Sequence, residues 1–241
     1  MAEPIRLNEQ KSEFKKHAEK LIPEGGNLDL CFTCGTCASG CPATGLENMD
    51  PRKFLRMVLL GMDEEVTSTP WVWMCTQCQR CIKACPMSVD IPQLVFRARE
   101  AWPRDERPVG IRKSCDVAMS TPTYSAMGAS VEDWHFVVED VAEEVRDTQP
   151  GFEDLQAPMD KQGAEFCLNQ NSREPVTEPD EMIPLWKILH VVGADWTYPS
   201  VGWGGENYCM FLSDEQAWEK MVRDKAKAVD DLGCKYWLNT E

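Results

Sequence analysis

Cys31-Phe32-Thr33-Cys34-Gly35-Thr36-Cys37-Ala38-Ser39-Gly40-Cys41-Pro42 carries four cysteines spaced C-x-x-C-x-x-C-x-x-x-C-P. Forty-four residues later, Cys75-Thr76-Gln77-Cys78-Gln79-Arg80-Cys81-Ile82-Lys83-Ala84-Cys85-Pro86 repeats the spacing. These two runs hold eight of the 12 cysteines in 241 residues. Dense cysteine in an exported chain signals disulfides, but Met1-Ala2-Glu3-Pro4-Ile5-Arg6 has no apolar signal core. The chain is therefore expected in the reducing cytoplasm, where such clusters bind metal.

The spacing selects the metal. A cubane cluster presents four irons, each wanting one thiolate. Three cysteines two residues apart wrap three corners, and in two-cluster ferredoxins the fourth cysteine reaches across to the other cubane. The pattern predicts two [4Fe-4S] clusters, one on Cys31, Cys34, Cys37 and Cys85, the other on Cys75, Cys78, Cys81 and Cys41. Two zinc sites are the plainer alternative, but zinc usually takes two cysteine pairs across a longer loop. Compact ferredoxins join their motifs through hairpins. Here the 33 residues between Cys41 and Cys75 include a predicted helix from Asp50 to about Met62, with Asp50 as N-cap and Pro51 in the first turn. That favours an α-helical ferredoxin. Arg80 and Lys83, beside the second run, are expected to raise the reduction potential or simply to aid solubility.

The first run, Asp50-Pro51-Arg52-Lys53 and Trp73-Met74-Cys75-Thr76-Gln77-Cys78 together resemble the iron–sulfur C subunit of heterodisulfide reductases. They also resemble the matching part of quinone-interacting oxidoreductase subunits of sulfate reducers. The likeness covers about residues 25–105. It implies an α-helical two-cluster ferredoxin passing electrons between a flavin or membrane subunit and a disulfide-reducing subunit.

Charge divides the chain. Residues 1–110 carry 14 basic and 15 acidic residues, whereas the remainder carries 11 and 25, for a formal net charge of −15 overall. So acidic a protein is a poor ligand for nucleic acid or an anionic membrane. No apolar run approaches the ~20 residues of a membrane span. We expect three parts: a dicluster domain at 1–110, a helical and irregular connection at 111–180, and an α/β unit at 181–241. The fold class is mainly α with a small α/β part. Predicted helices cover Lys11–Leu21, Asp90–Trp102 and Val131–Val145, and Gln149–Pro179 reads as a long irregular connection. Further on come a helix at Glu181–His190, a strand at Ala194–Tyr198, the loop Gly202-Trp203-Gly204-Gly205, and a helix to Leu232 opened by a Ser213/Gln216 capping box. A strand at Cys234–Leu238 follows.

From Glu181 onward the order of elements resembles half of a cysteine-rich CCG domain, as in the B and D subunits of heterodisulfide reductases. There two cysteines precede the paired glycines. Here Gly202 and Trp203 precede Gly204-Gly205. The resemblance thus implies a degenerate, structural half-domain, or a chain that continues past Glu241. An unrelated α/β docking tail is the other reading. Cys115, Cys167, Cys209 and Cys234 read as small buried hydrophobes, with Cys209 the best placed as a ligand because it follows the glycine loop. His17, His135 and His190 read as structural or exposed, and the acids between Glu132 and Asp147 as a solvated helix face. No phosphate loop or dinucleotide fingerprint is present.

The expected function is electron relay by a non-catalytic redox subunit of a heterodisulfide-reductase-like complex, with no catalytic residues of its own. Its partners would be a flavin subunit, a CCG-domain subunit or a membrane quinone subunit, the last holding it at the inner face of the membrane. The alternatives are a disulfide or persulfide reductase with its own active site, and the iron–sulfur subunit of a different quinone-linked dehydrogenase.

Overall fold

A computed structural model describes residues 11–240. The chain divides into two compact units: residues up to Val109 together with Phe211–Ser213, and Gly110–Met210 together with 214 onward. No helix among the described residues is long and apolar enough to cross a membrane.

The first unit is helical: α1 (Glu13–Leu21), α2 (Thr36–Ser39), α3 (Pro51–Leu59), α4 (Asp63–Ser68), α5 (Arg80–Ala84) and α6 (Ile91–Glu100), joined by short 3-10 turns. The expected cap of α3 forms, Asp50 accepting from the Lys53 amide at 2.8 Å behind Pro51. Asp90 caps α6 through the Gln93 amide at 3.1 Å. The α1 cap comes from elsewhere: Asp63 of α4 accepts from the amides of Glu13 (2.7 Å) and Phe14 (3.1 Å), so a carboxylate 50 residues away fixes that helix. Phe14, Ala18, Ile22, Leu28, Phe54, Leu55, Val58, Trp71, Leu94 and Val95 make the core. Six cysteines, 31, 37, 41, 75, 81 and 85, pack partly buried against it. Each fully buried aliphatic side chain contributes roughly 1.5–3 kcal/mol before the opposing chain entropy. Trp71 Nε1 donates to the Ala43 carbonyl at 2.9 Å in the interior, tying one run to the other.

The remaining elements are α7 (Val109–Ser120), α8 (Val131–Thr148), β1 (Phe166–Leu168), α9 (Arg173–Thr177), α10 (Ile183–Val191), β2 (Trp196–Thr197), α11 (Tyr208–Leu212), α12 (Glu215–Asp231) and β3 (Tyr236–Leu238). Sheet order is β2-β1-β3, all parallel, with Phe166 level with Trp196 on one side and Tyr236 on the other. The central strand therefore lies inside 149–179, the stretch read as irregular. Three residues are too few to show periodicity, and burial on both faces removes the alternation that marks a half-exposed strand. The α12 cap also differs from expectation. Asp214 accepts from the Ala217 amide at 3.2 Å, while Ser213 is left-handed at φ +56°. The core of this unit is aromatic: Trp134 stacks on Trp203 with centroids 4.3 Å apart, and Trp186 Nε1 donates to the Tyr198 hydroxyl at 3.0 Å.

The glycine loop has a packing role. The amides of Gly202 and Gly204 donate to the carbonyls of Pro122 (2.9 Å) and Thr123 (3.0 Å). A Cβ on Gly204 would fall 2.4 Å from the Tyr124 carbonyl oxygen, so only glycine fits there.

Candidate iron–sulfur site

The repeated spacing becomes a repeated backbone. Thr33 and Gln77 are left-handed at φ +64° and +58°, and Gly35 and Gln79 at +86° and +61°. Each pair is 44 residues apart. Each second left-handed residue then starts a short helix, α2 or α5. The Ala38 amide reaches Gly35 O at 2.9 Å and the Ile82 amide reaches Gln79 O at 3.0 Å. The Thr44 amide reaches Cys41 O at 3.1 Å and the Ser88 amide reaches Cys85 O at 3.0 Å. Two left-handed residues flank the second cysteine of each run, and Cys37, on the helical turn that follows, feels the charges of Cys31 and Cys34.

Cys34 and Cys78 are exposed and the other six sulfurs are partly covered. Electrostatic neighbours link sulfurs of the two runs. The Cys37 thiol is pushed up to about 11, chiefly by burial, then by the charges of Cys31, Cys85 and Cys34. Cys81 is pushed up to about 12 by burial and then by Cys75 and Cys41. Cys75 is raised by burial, with Cys41 and Cys78 adding to the rise and Arg99 opposing it. Cys37 thus feels Cys85 of the second run, and Cys75 and Cys81 feel Cys41 of the first. Cys34 runs the other way: the Thr36 hydroxyl, 3.2 Å from its sulfur, holds its thiol below the usual value.

Four clustered thiols cannot all ionise unless positive charge joins them. Iron supplies that charge, and thiolate is the donor that iron–sulfur clusters take. Among the described residues no three Cys, His, Asp or Glu gather tightly enough for a single metal ion. Zn–S bonds of ~2.3 Å would draw four sulfurs nearly into contact, whereas a cubane, with one iron per thiolate, holds them further apart.

Arg80 and Lys83, expected to act on the clusters, are exposed. A buried cation that does touch the second run is Arg99, which the sequence reading missed. It lies four residues after Val95 and eight after Ile91, on the apolar face of α6, and a charge on such a face is the signal that could have found it. The four scattered cysteines form two pairs. Cys115 and Cys209, both buried, form a disulfide with Cα atoms 4.9 Å apart. Cys167 of β1 lies beside Cys234, and burial, then the charge of Cys234, pushes the Cys167 thiol up to about 12. His17 and His135 are exposed, His135 meeting the Ser200 hydroxyl, while His190 is half-buried against Phe152. The acids of α8 from Glu132 to Asp147 all face solvent.

Residues 27–89 match the model of the 4Fe-4S dicluster domain, so two [4Fe-4S] clusters are the cofactors of this unit. The chain is 38% identical over 86 residues to the C subunit of the H(2):CoB-CoM heterodisulfide,ferredoxin reductase of Methanothermobacter marburgensis, covering 35% of this chain and 46% of that one. The iron-sulfur C subunit of CoB--CoM heterodisulfide reductase from Methanopyrus kandleri is 31% identical over 109 residues, 41% of this chain and 57% of that one. A protein of Archaeoglobus profundus that is itself named for its likeness to the heterodisulfide reductase C subunit is 33% identical over 94 residues, 37% and 50% of the two chains. The chain spans about half the length of these relatives.

Proposed function

We propose that this chain is an electron-transfer subunit of a heterodisulfide-reductase-like complex. In this reading Cys31, Cys34, Cys37 and Cys85 hold one [4Fe-4S] cluster, and Cys75, Cys78, Cys81 and Cys41 hold the other. The observation that supports it is that Cys37 of the first run feels the charge of Cys85, and Cys81 of the second run that of Cys41. When bound, each cluster accepts and returns electrons at a potential set by its surroundings. The chain's residues do the rest. Crossed cysteines fix the separation of the centres, the core against the sulfurs restricts water, and exposed Cys34 and Cys78 leave an edge of each centre open to a partner.

Residues 181–241 are read as a degenerate, structural CCG-like half-domain, supported by their order of helix, strand, glycine loop, helix and strand. The thiol–disulfide chemistry and any flavin would then belong to partner subunits, one of which would hold the complex at the cytoplasmic face of a membrane. Iron and sulfide analysis of anaerobically prepared protein tests the proposal. About eight irons and eight sulfides per chain are expected, four of each per cluster. Colourless protein without sulfide, or protein carrying zinc in place of iron, overturns it.

A further inference from the structure

Arg99 is 1% exposed, the most buried charged side chain among the described residues. Its guanidinium is fully engaged. Nε and Nη2 donate to the Val72 carbonyl at 2.9 and 2.7 Å, Nη2 also to the Cys75 carbonyl at 2.5 Å, and Nη1 to the Phe211 carbonyl at 3.0 Å. The Trp73 ring lies 5.2 Å from its Cζ. Every hydrogen-bond acceptor is a neutral carbonyl, and among the described residues no carboxylate pairs with it. A buried cation facing only dipoles carries a large desolvation cost.

Among the described residues no buried cation is recorded against the first quartet. Arg52 lies against Gly35 but is exposed, where water and salt screen it. We propose that Arg99 is the counter-charge of the iron–sulfur centre held through Cys75, and that it makes this centre the first of the two to accept an electron. Reduction adds one negative charge to a centre. A fixed positive charge in a low-dielectric interior stabilises that added charge, and the exposed Arg52 does so far less. Within the chain, electrons then run downhill from the Cys37 side to the Cys75 side. Arg99 is a positioning residue here: it acts on the centre through space and through the Cys75 carbonyl.

This inference rests on the two-cluster reading, and the test separates them. The full chain is titrated anaerobically with EPR detection, and the Cys75-side step is identified as the one whose signal Cys78→Ser alters. In the unsubstituted chain two separate steps are expected, the Cys78-dependent one at the higher potential. Arg99→Gln is expected to lower that step by at least about 59 mV, a tenfold change in its reduced-to-oxidised ratio, and to leave the other in place. Arg99→Lys, which keeps the charge, is expected to hold most of the potential. Merged steps, an inverted order, or a lysine variant that behaves as the glutamine one overturns the inference. So does a glutamine variant that shifts both steps equally or neither. Should Arg99→Gln fail to retain iron, the order of steps in the unsubstituted chain decides. Iron-free unsubstituted protein defeats the two-cluster reading itself.

Discussion

Gly35 and Gln79 occupy the same left-handed position 44 residues apart, at φ +86° and +61°. The conformation is free for glycine and costs of order 1 kcal/mol or more for a residue with a Cβ. The second motif tolerates that cost because the cysteines on either side must converge.

Gln79→Gly should therefore stabilise the first unit by about 0.5–1 kcal/mol. The exchange Gly35→Val should destabilise it by more than that, since a Cβ there also meets Arg52 Nη1 at 3.4 Å. Thermal melts of the anaerobic holoprotein, followed by loss of cluster absorbance, check both signs. Opposite shifts of the two melting temperatures are expected, and an unmoved glycine variant at position 79 would count against strain at this turn.

Gly204→Ala forces a methyl to 2.4 Å from the Tyr124 carbonyl oxygen, and backbone must move. Overpacking of this kind costs about 1–3 kcal/mol or more. The second unit should melt earlier by far-UV circular dichroism, with the iron content of the first unit unchanged.

Cys115 and Cys209 close a loop spanning 94 residues. Alkylation of denatured, unreduced protein should leave both unlabelled, and thiol treatment should expose them. A linkage across so long a loop contributes about 2–4 kcal/mol, so the same treatment should lower the melting point of the second unit.

Burial holds the Cys167 thiol at about 12, above its ordinary 9.0. The folded state keeps this proton while the unfolded chain releases it near pH 9. The stability it protects is complete below that pH and declines as pH climbs from 9 toward 12. Denaturant titrations at pH 8, 9 and 10 should show the decline, and Cys167→Ala should flatten it. An equal slope in the variant would contradict the assignment.

What is legible in the sequence depends on how local each signal is. Cysteine spacing, the Asp50 and Asp90 caps and the amphipathic helices are set by neighbours within a turn or two, and they can be read directly. The sequence misleads where distant residues decide. Asp63 caps a helix 50 residues away, and β1 is fixed by β2 and β3 rather than by its own three residues. Cys115 meets Cys209, and Cys167 meets Cys234, only through the fold. Arg99 escapes notice because Arg80 and Lys83 lie beside the cysteines in sequence, whereas Arg99 reaches them from the buried face of α6.

The crossing of one cysteine between the two motifs is tested most directly by EPR of the reduced chain carrying Cys85→Ser, Cys37→Ser or Cys81→Ser. Cys85→Ser is predicted to alter the same signal as Cys37→Ser and to leave untouched the one that Cys81→Ser alters. A Cys85→Ser spectrum that instead changes together with Cys81→Ser would contradict the crossed arrangement.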